Sequence, residues 1–180
     1  VIVNGSSNIQ VYNMDESGLS FFKQIETNDS GPREMVIYDS PIQEGNLNLY
    51  FTNWYSADVK KINLSTCEIE EEISTPALPE DIIIHNGLLY VSMTMNHDWT
   101  DGNQVITINP NLDTIMDSFE VGPGPGELLE YEGEIYVSRT YYNEDWNTFY
   151  GTSKIKSNGE VVIVNYGAGG ACGGGIVNYN

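Results

Sequence analysis

The sequence of this 180-residue chain repeats the same order of turns and apolar runs three times. Each repeat begins at a proline, and Pro32, Pro79 and Pro125 are 47 and 46 residues apart. A short apolar run follows, and then a segment of the pattern Leu/Ile-Tyr-Phe/Val-Thr/Ser. These segments are residues 49–52, 89–92 and 135–138. Two further strand-like segments complete each repeat, and four short strands at this spacing are typical of one β-propeller blade.

Turn residues separate the predicted strands. Asn86-Gly87 and Glu132-Gly133 lie between the first and second strands of their repeats, and Asn158-Gly159 lies between a third and a fourth strand. Two-residue hairpins need positive φ angles, which glycine and asparagine adopt readily. No segment shows apolar residues at the 3.6-residue period of a helix. We therefore predict an all-β fold, a β-propeller domain built of four four-stranded antiparallel blades.

The two ends of the chain predict how the ring closes. The first repeat opens on second-strand residues, whereas residues 176–179 repeat the inner-strand pattern. We therefore predict that the C-terminus supplies the inner strand of blade 1, because this exchange pairs both ends. Three arrangements stay open: a four-bladed ring in one chain, an eight-bladed homodimer formed by strand exchange, and a piece of a longer protein. The predicted blades of the single domain 1–180 are residues 1–26 with 175–180, 33–75, 80–121 and 127–166.

The charge balance restricts the partners of the chain. There are 7 Lys and Arg against 26 Asp and Glu, which gives a formal net charge of -19. Such a surface repels phosphate backbones, and we therefore exclude nucleic acid as a partner. No apolar run approaches the roughly 20 residues of a membrane-spanning helix, so we predict no membrane span. No signal peptide is visible at the start, where the chain opens in the middle of a repeat at Val1.

The repeat resembles a known class of propeller sequences. The repeats of this chain resemble the bacterial YVTN/NHL repeats over nearly its whole length. The resemblance lies in a Gly-Pro turn, an apolar run, the Leu-Tyr-Phe/Val-Thr/Ser strand and a strand that ends in Ile-Asn. Residues 49–52 are also similar to a strand of the virginiamycin B lyase-like propellers. The resemblance implies a propeller scaffold, usually with about six or seven blades. The resemblance assigns no catalytic residue of the lyase to a position of this chain. We expect a bacterial protein that is secreted, periplasmic or at the cell surface.

Tryptophans follow the second strand at matching places in three repeats. Two of them end the repeated motif Asn-x-Asp-Trp, at residues 96–99 and 143–146. In a propeller this loop lies on the same face as the loops between blades, and flat rings beside carboxylates suit a sugar, a peptide or a cation. The alternative is that each ring is a spacer between blades. The predicted ligand-binding residues are Trp54, Trp99, Trp146, His97, Asp98 and Asp145.

A second set of residues recurs two positions after each repeat proline. Glu34, Asp81 and Glu127 begin the predicted inner strands, where their side chains are expected at the mouth of the central channel. Like charges held close together raise one another's pKa or recruit a cation, and calcium is the ion that prefers oxygen ligands. We therefore predict a metal site at these three residues. The alternative is that the carboxylates face solvent or cap backbone N–H groups of the turn.

The function predicted from these features is non-enzymatic binding of a small ligand, cation, sugar or peptide at one loop face. The alternative is a metal-assisted lyase or hydrolase of the virginiamycin B lyase-like kind. No nucleophile motif such as Gly-x-Ser-x-Gly is present, which favours the binding interpretation.

Overall fold

The computed structural model describes residues 1–41 and 47–168. In these residues the chain is all-β, apart from one 3₁₀ turn at Asn4–Ser6. No helix in the described ranges is long and apolar enough to cross a membrane. The strands are β1 (Ile2–Val3), β2 (Asn8–Asp15), β3 (Gly18–Glu26), β4 (Pro32–Asp39), β5 (Leu47–Asn53), β6 (Asp58–Asn63), β7 (Glu68–Ser74), β8 (Leu78–His85), β9 (Leu88–Met95), β10 (Asp101–Asn109), β11 (Thr114–Glu120), β12 (Pro125–Tyr131), β13 (Glu134–Tyr142), β14 (Thr148–Ile155) and β15 (Val161–Ala168).

These strands form four antiparallel sheets, which confirms the predicted β-propeller-like architecture. The strand orders are β1-β2-β3, β4-β5-β6-β7, β8-β9-β10-β11 and β12-β13-β14-β15, and we refer to these sheets as blades 1 to 4. Blade 1 has three strands within the described residues. Its predicted inner strand, residues 176–179, lies outside the described residues. Closure by this segment and the strand-exchanged homodimer therefore stay predictions.

The core lies between the faces of successive blades. Neighbouring residues of one strand belong to different clusters: Val105 packs toward blade 4, whereas Ile106 packs toward blade 2. Side chains of a strand alternate between the two faces of its sheet. A blade that packs against a neighbour on each side therefore needs apolar residues on both faces. The cluster between blades 1 and 2 contains Ile9, Ile25, Leu49, Phe51 and Ile62. The cluster between blades 3 and 4 contains Val105, Val121, Leu128, Ile135, Val137 and Ile155.

The Thr or Ser that ends the second-strand pattern binds the backbone of the inner strand. The pairing of each inner strand shifts register shortly after its proline, as between Pro32 and Met35. A register shift leaves a backbone amide without its partner in the ladder. In all three complete blades a hydroxyl accepts the hydrogen bond of that amide. The pairs are Glu34 N to Thr52 Oγ1 at 3.1 Å, Asp81 N to Ser92 Oγ at 3.0 Å and Glu127 N to Ser138 Oγ at 2.9 Å.

Replacing Thr52 with valine is expected to lower the free energy of unfolding by about 1–2 kcal/mol, since two partly buried backbone groups lose their partner. The Thr52 hydroxyl accepts from Glu34 N and donates to the Glu80 carbonyl of the next blade at 2.7 Å. Thr107→Val is the matched control, because Thr107 is equally buried and its hydroxyl has no partner in the described part of the chain. That control is expected to stay within about 0.5 kcal/mol of the parent. Urea unfolding measures both, and equal losses would contradict the role given to Thr52.

Candidate functional site

The loops at one end of blades 3 and 4 are joined to one another by backbone hydrogen bonds. The inter-blade loop ends at Gly124, whose amide donates to Gly102 O at 2.8 Å and whose carbonyl accepts from Thr140 N at 2.9 Å. The Asp101 carboxylate accepts the amide of Tyr142 at 3.0 Å. The β9–β10 loop, the β13–β14 loop and the inter-blade loop therefore form one surface, on the face where the sequence predicts them.

The motif Asn-x-Asp-Trp folds into the same turn in both loops. The tryptophan amide donates to the carbonyl of the motif asparagine, at 3.0 Å from Trp99 to Asn96 and at 2.9 Å from Trp146 to Asn143. Both tryptophans have left-handed φ angles, of 67° and 60°. This conformation is unfavourable for a bulky residue by about 1–2 kcal/mol. The two residues are 61% and 77% exposed.

The two tryptophans line a common groove of about 270 Å³ between the loops. Tyr142 stands beside Trp146, with ring centroids 6.2 Å apart and planes tilted by 51°. We call this space the tryptophan groove, and its main lining residues are Met95, Trp99, Asp101, Tyr142, Glu144 and Trp146. Sequence reasoning missed Met95, Tyr142, Asp101 and Glu144 as site residues. A signal existed for the first two, because each directly precedes the asparagine of its motif.

The other predicted residues of these loops support the turns. Asp98 accepts hydrogen bonds from the amide and hydroxyl of Thr100, at 3.1 and 2.6 Å, and these bonds hold the pKa of Asp98 below its ordinary value. The amide of Asp145 donates to the side chain of Asn143 at 3.1 Å. His97 is exposed at the position that corresponds to Glu144 in the second motif. The predicted roles of these residues in ligand binding stay predictions.

Trp54 lies in a different environment from the other two tryptophans. It is half-buried, its amide donates to Gly31 O at 3.0 Å, and the guanidinium of Arg33 is 4.7 Å from its ring centroid. Arg33 also pairs with Glu80 of blade 3, with 3.1 Å from Nε to Oε1. Trp54 therefore packs against Arg33, which reaches blade 3, and the structure brings only Trp99 and Trp146 together in the groove.

The three repeated carboxylates lie at the same end of the sheets. The Asp81 carboxylate accepts a hydrogen bond from the backbone amide of Leu128 in blade 4 at 2.6 Å. It accepts a second one from the amide of the next residue, Ile82, at 2.7 Å. Burial raises the pKa of Asp81 to about 6, and the charges of Glu34 and Glu127 act in the same direction. Asp81 thus links two blades. Within the described residues, no group of three or more His, Cys, Asp or Glu is placed to hold a metal ion.

Comparisons with known proteins show the fold. No protein-family model and no curated protein sequence matches the chain. It is similar in structure to dihydro-heme d1 dehydrogenase NirN in complex with DHE, at 12% identity and a TM-score of 0.68 over 91% of this chain and 34% of that one. It is also similar to hydrazine synthase of Kuenenia stuttgartiensis, at 16% identity and a TM-score of 0.69 over 88% of this chain and 43% of that one. A protein from Lactobacillus plantarum matches at 12% identity and a TM-score of 0.62, over 89% of this chain and 51% of that one.

These neighbours are β-propeller-like proteins, and the chain spans about a third to a half of their length. At such identities the similarity concerns the fold alone. The propeller part of the sequence prediction is confirmed, whereas membership of the YVTN/NHL class and the export of the protein stay predictions.

Proposed function

We propose that this chain is a non-enzymatic binding module whose ligand site is the tryptophan groove. The observation that carries the proposal is the pair of exposed rings, Trp99 and Trp146, which loops of adjacent blades present to one groove. Exposed tryptophans supply large apolar contact area with little conformational freedom to lose, which is why they dominate many binding sites.

Backbone strain supports a role in binding over a role in folding. Both rings are attached at left-handed φ angles, and neither ring is buried by the fold. A spacer between blades gains contact area that offsets such strain, as a core residue does. Trp99 and Trp146 gain little of that contact area because most of their surface is exposed, and strained residues of this kind cluster at functional sites.

The groove lacks the arrangement that covalent catalysis requires. The hydroxyl of Thr100, which lines the groove, donates a hydrogen bond to Asp98 in the same turn at 2.6 Å. The Asp101 carboxylate accepts a hydrogen bond from the amide of Tyr142. These carboxylates hold the turns and the loops together, and neither is positioned against an activated nucleophile. The groove therefore fits reversible binding better than covalent catalysis.

Binding is expected to weaken at least tenfold in Trp99→Ala and in Trp146→Ala, with little change in the melting temperature, because both rings are mostly in solvent. The probes are cellobiose, chitobiose, choline and the tripeptide Gly-Lys-Gly, titrated by calorimetry and intrinsic fluorescence. Trp54→Phe is the control, since it retains an aromatic ring beside Arg33 and lies outside the groove. Full affinity in both alanine variants, or a loss of stability as large as for a core residue, would assign the two rings to structure.

A further inference from the structure

Building on the proposed function, we infer that the tryptophan groove binds a small organic cation that carries a quaternary or alkylated ammonium group. Trp146 and Tyr142 form two walls that are tilted by 51° and are therefore not stacked on each other. Trp99 adds a third ring from the neighbouring loop. The faces of aromatic rings carry partial negative charge, and several faces around one space attract an ammonium group.

The charges of the groove match the charge of this ligand. Asp101 and Glu144 line the groove, and neither forms an ion pair in the described part of the chain. The whole chain carries a net charge of -19, which raises the local concentration of cations at such a cleft. A ligand with its own carboxylate would be repelled by the same groups.

The aromatic faces and the carboxylates of the groove suit an alkylated ammonium group. A sugar hydroxyl needs donors as well as acceptors, whereas an alkylated ammonium group needs only negative surface around it. One donor group of the β9–β10 loop is used in its turn: the Asn96 side chain donates to Thr100 Oγ1 at 3.1 Å and to Asp101 O at 2.9 Å. The Thr100 hydroxyl in turn donates to Asp98. The Tyr142 hydroxyl, the Asn143 side chain and the two indole N–H groups also line the groove, so a sugar is the competing ligand that the test must include.

The size of the groove restricts the ligand to a small molecule. Its volume of about 270 Å³ lies just below the roughly 300–1,000 Å³ of most ligand pockets. This space suits a single head group with a short substituent, such as choline. A folded protein partner would need a much larger surface.

The test compares three ligands of nearly the same shape. Choline has a trimethylammonium group, 3,3-dimethylbutan-1-ol has an uncharged carbon at the same place, and glycine betaine adds a carboxylate. We expect choline to bind with a dissociation constant of about 0.1–1 mM. The uncharged alcohol and the betaine are expected to bind at least tenfold more weakly, by titration calorimetry on the whole chain at low salt.

Variants separate the contributions of rings and charge. Trp146→Ala is expected to weaken choline binding at least tenfold, and Glu144→Gln about threefold, with a smaller dependence on salt. Glu16→Gln is the matched control, because Glu16 is an exposed glutamate in the β2–β3 turn of blade 1. It is expected to leave choline binding unchanged.

The possible outcomes distinguish this inference from the proposed function. Equal binding of choline and the uncharged alcohol, or binding of chitobiose without choline, would overturn the cation while leaving the groove as a binding site. Choline binding that Trp99→Ala and Trp146→Ala leave intact would overturn both. No choline binding at about 10 mM would also overturn the inference.

Discussion

Gly124→Ala is expected to lower the free energy of unfolding by about 4 kcal/mol or more, the largest loss predicted for a single methyl group in this chain. Gly124 has a φ of +65°, and a Cβ built there would overlap the carbonyl oxygen of Thr140 and lie 2.6 Å from its carbonyl carbon. Both obstructing atoms belong to the backbone of β13, so no side chain can rotate away. The loop between blades 3 and 4 must shift, which breaks its bonds to Gly102 and Thr140.

Gly133→Ala separates the two causes of this loss. Gly133 has a similar φ of +80°, but a Cβ there would meet no atom within 4 Å. The control is therefore expected to lose only the cost of the left-handed conformation, about 1 kcal/mol. Chemical denaturation followed by circular dichroism measures both variants. A similar loss in the two would mean that backbone conformation alone, and not the close approach of the blades, makes glycine necessary at position 124.

The repeat in the sequence was sufficient to predict the strands, since each strand depends on local alternation and on turn chemistry. The predicted hairpin at Asn86-Gly87 has positive φ at both residues, 49° and 77°, and the hairpin at Glu132-Gly133 has 51° and 80°. These angles are those of the two-residue turns that match the twist of antiparallel strands. The predicted second-strand segments all lie within observed strands, as residues 89–92 lie within Leu88–Met95.

The environment of each repeated residue could not be predicted from its position in the repeat. The sequence places Trp54 with Trp99 and Trp146, but in the turn of blade 2 the carbonyl of Trp54 accepts the amide of Ala57 at 3.2 Å. Trp54 therefore takes the place of the motif asparagine, and Arg33 covers its ring. Which side chain lies over a ring depends on contacts between distant parts of the chain. A repeat aligns backbone positions, and it leaves the neighbours of each side chain undetermined.

Asp81 shows the same division between local and distant causes. Its position at the start of an inner strand follows from the repeat, whereas its bond to the amide of Leu128, 47 residues away, depends on how blades 3 and 4 meet. The sequence offered a metal site and a capping role as alternatives. Asp81 accepts two backbone amides, one of them in the next blade rather than in its own turn, and the metal site stays a prediction.

The stability of the chain is expected to fall by up to about 3 kcal/mol as the pH rises from about 4 to about 7, because of Asp81. Burial raises the pKa of this carboxyl from 3.8 to about 6. Between these values the folded chain holds a proton that the unfolded chain has released, so the neutral carboxyl stabilises the fold. This contribution is fully present below about pH 4 and is lost as the pH rises through about 6.

Asp81→Asn is expected to flatten the dependence on pH, since an amide does not titrate. The repulsion among the many other carboxylates also lowers stability as the pH rises, but salt screens it much more than it screens a buried group. Unfolding in urea at several pH values, in about 0.5 M sodium chloride, therefore isolates the Asp81 contribution. An unchanged slope in Asp81→Asn would show that other groups cause the pH dependence.

The same titration tests the predicted calcium site, because the two roles of Asp81 have opposite signs. A cation bound among Glu34, Asp81 and Glu127 would favour the charged carboxylate and lower the pKa of Asp81. Stability in calcium would then rise with pH, whereas in EDTA it would fall. Identical curves in calcium and in EDTA are expected if Asp81 serves only to join blades 3 and 4. A reversal of the slope in calcium would instead establish the metal site and make the joint between the blades dependent on the ion.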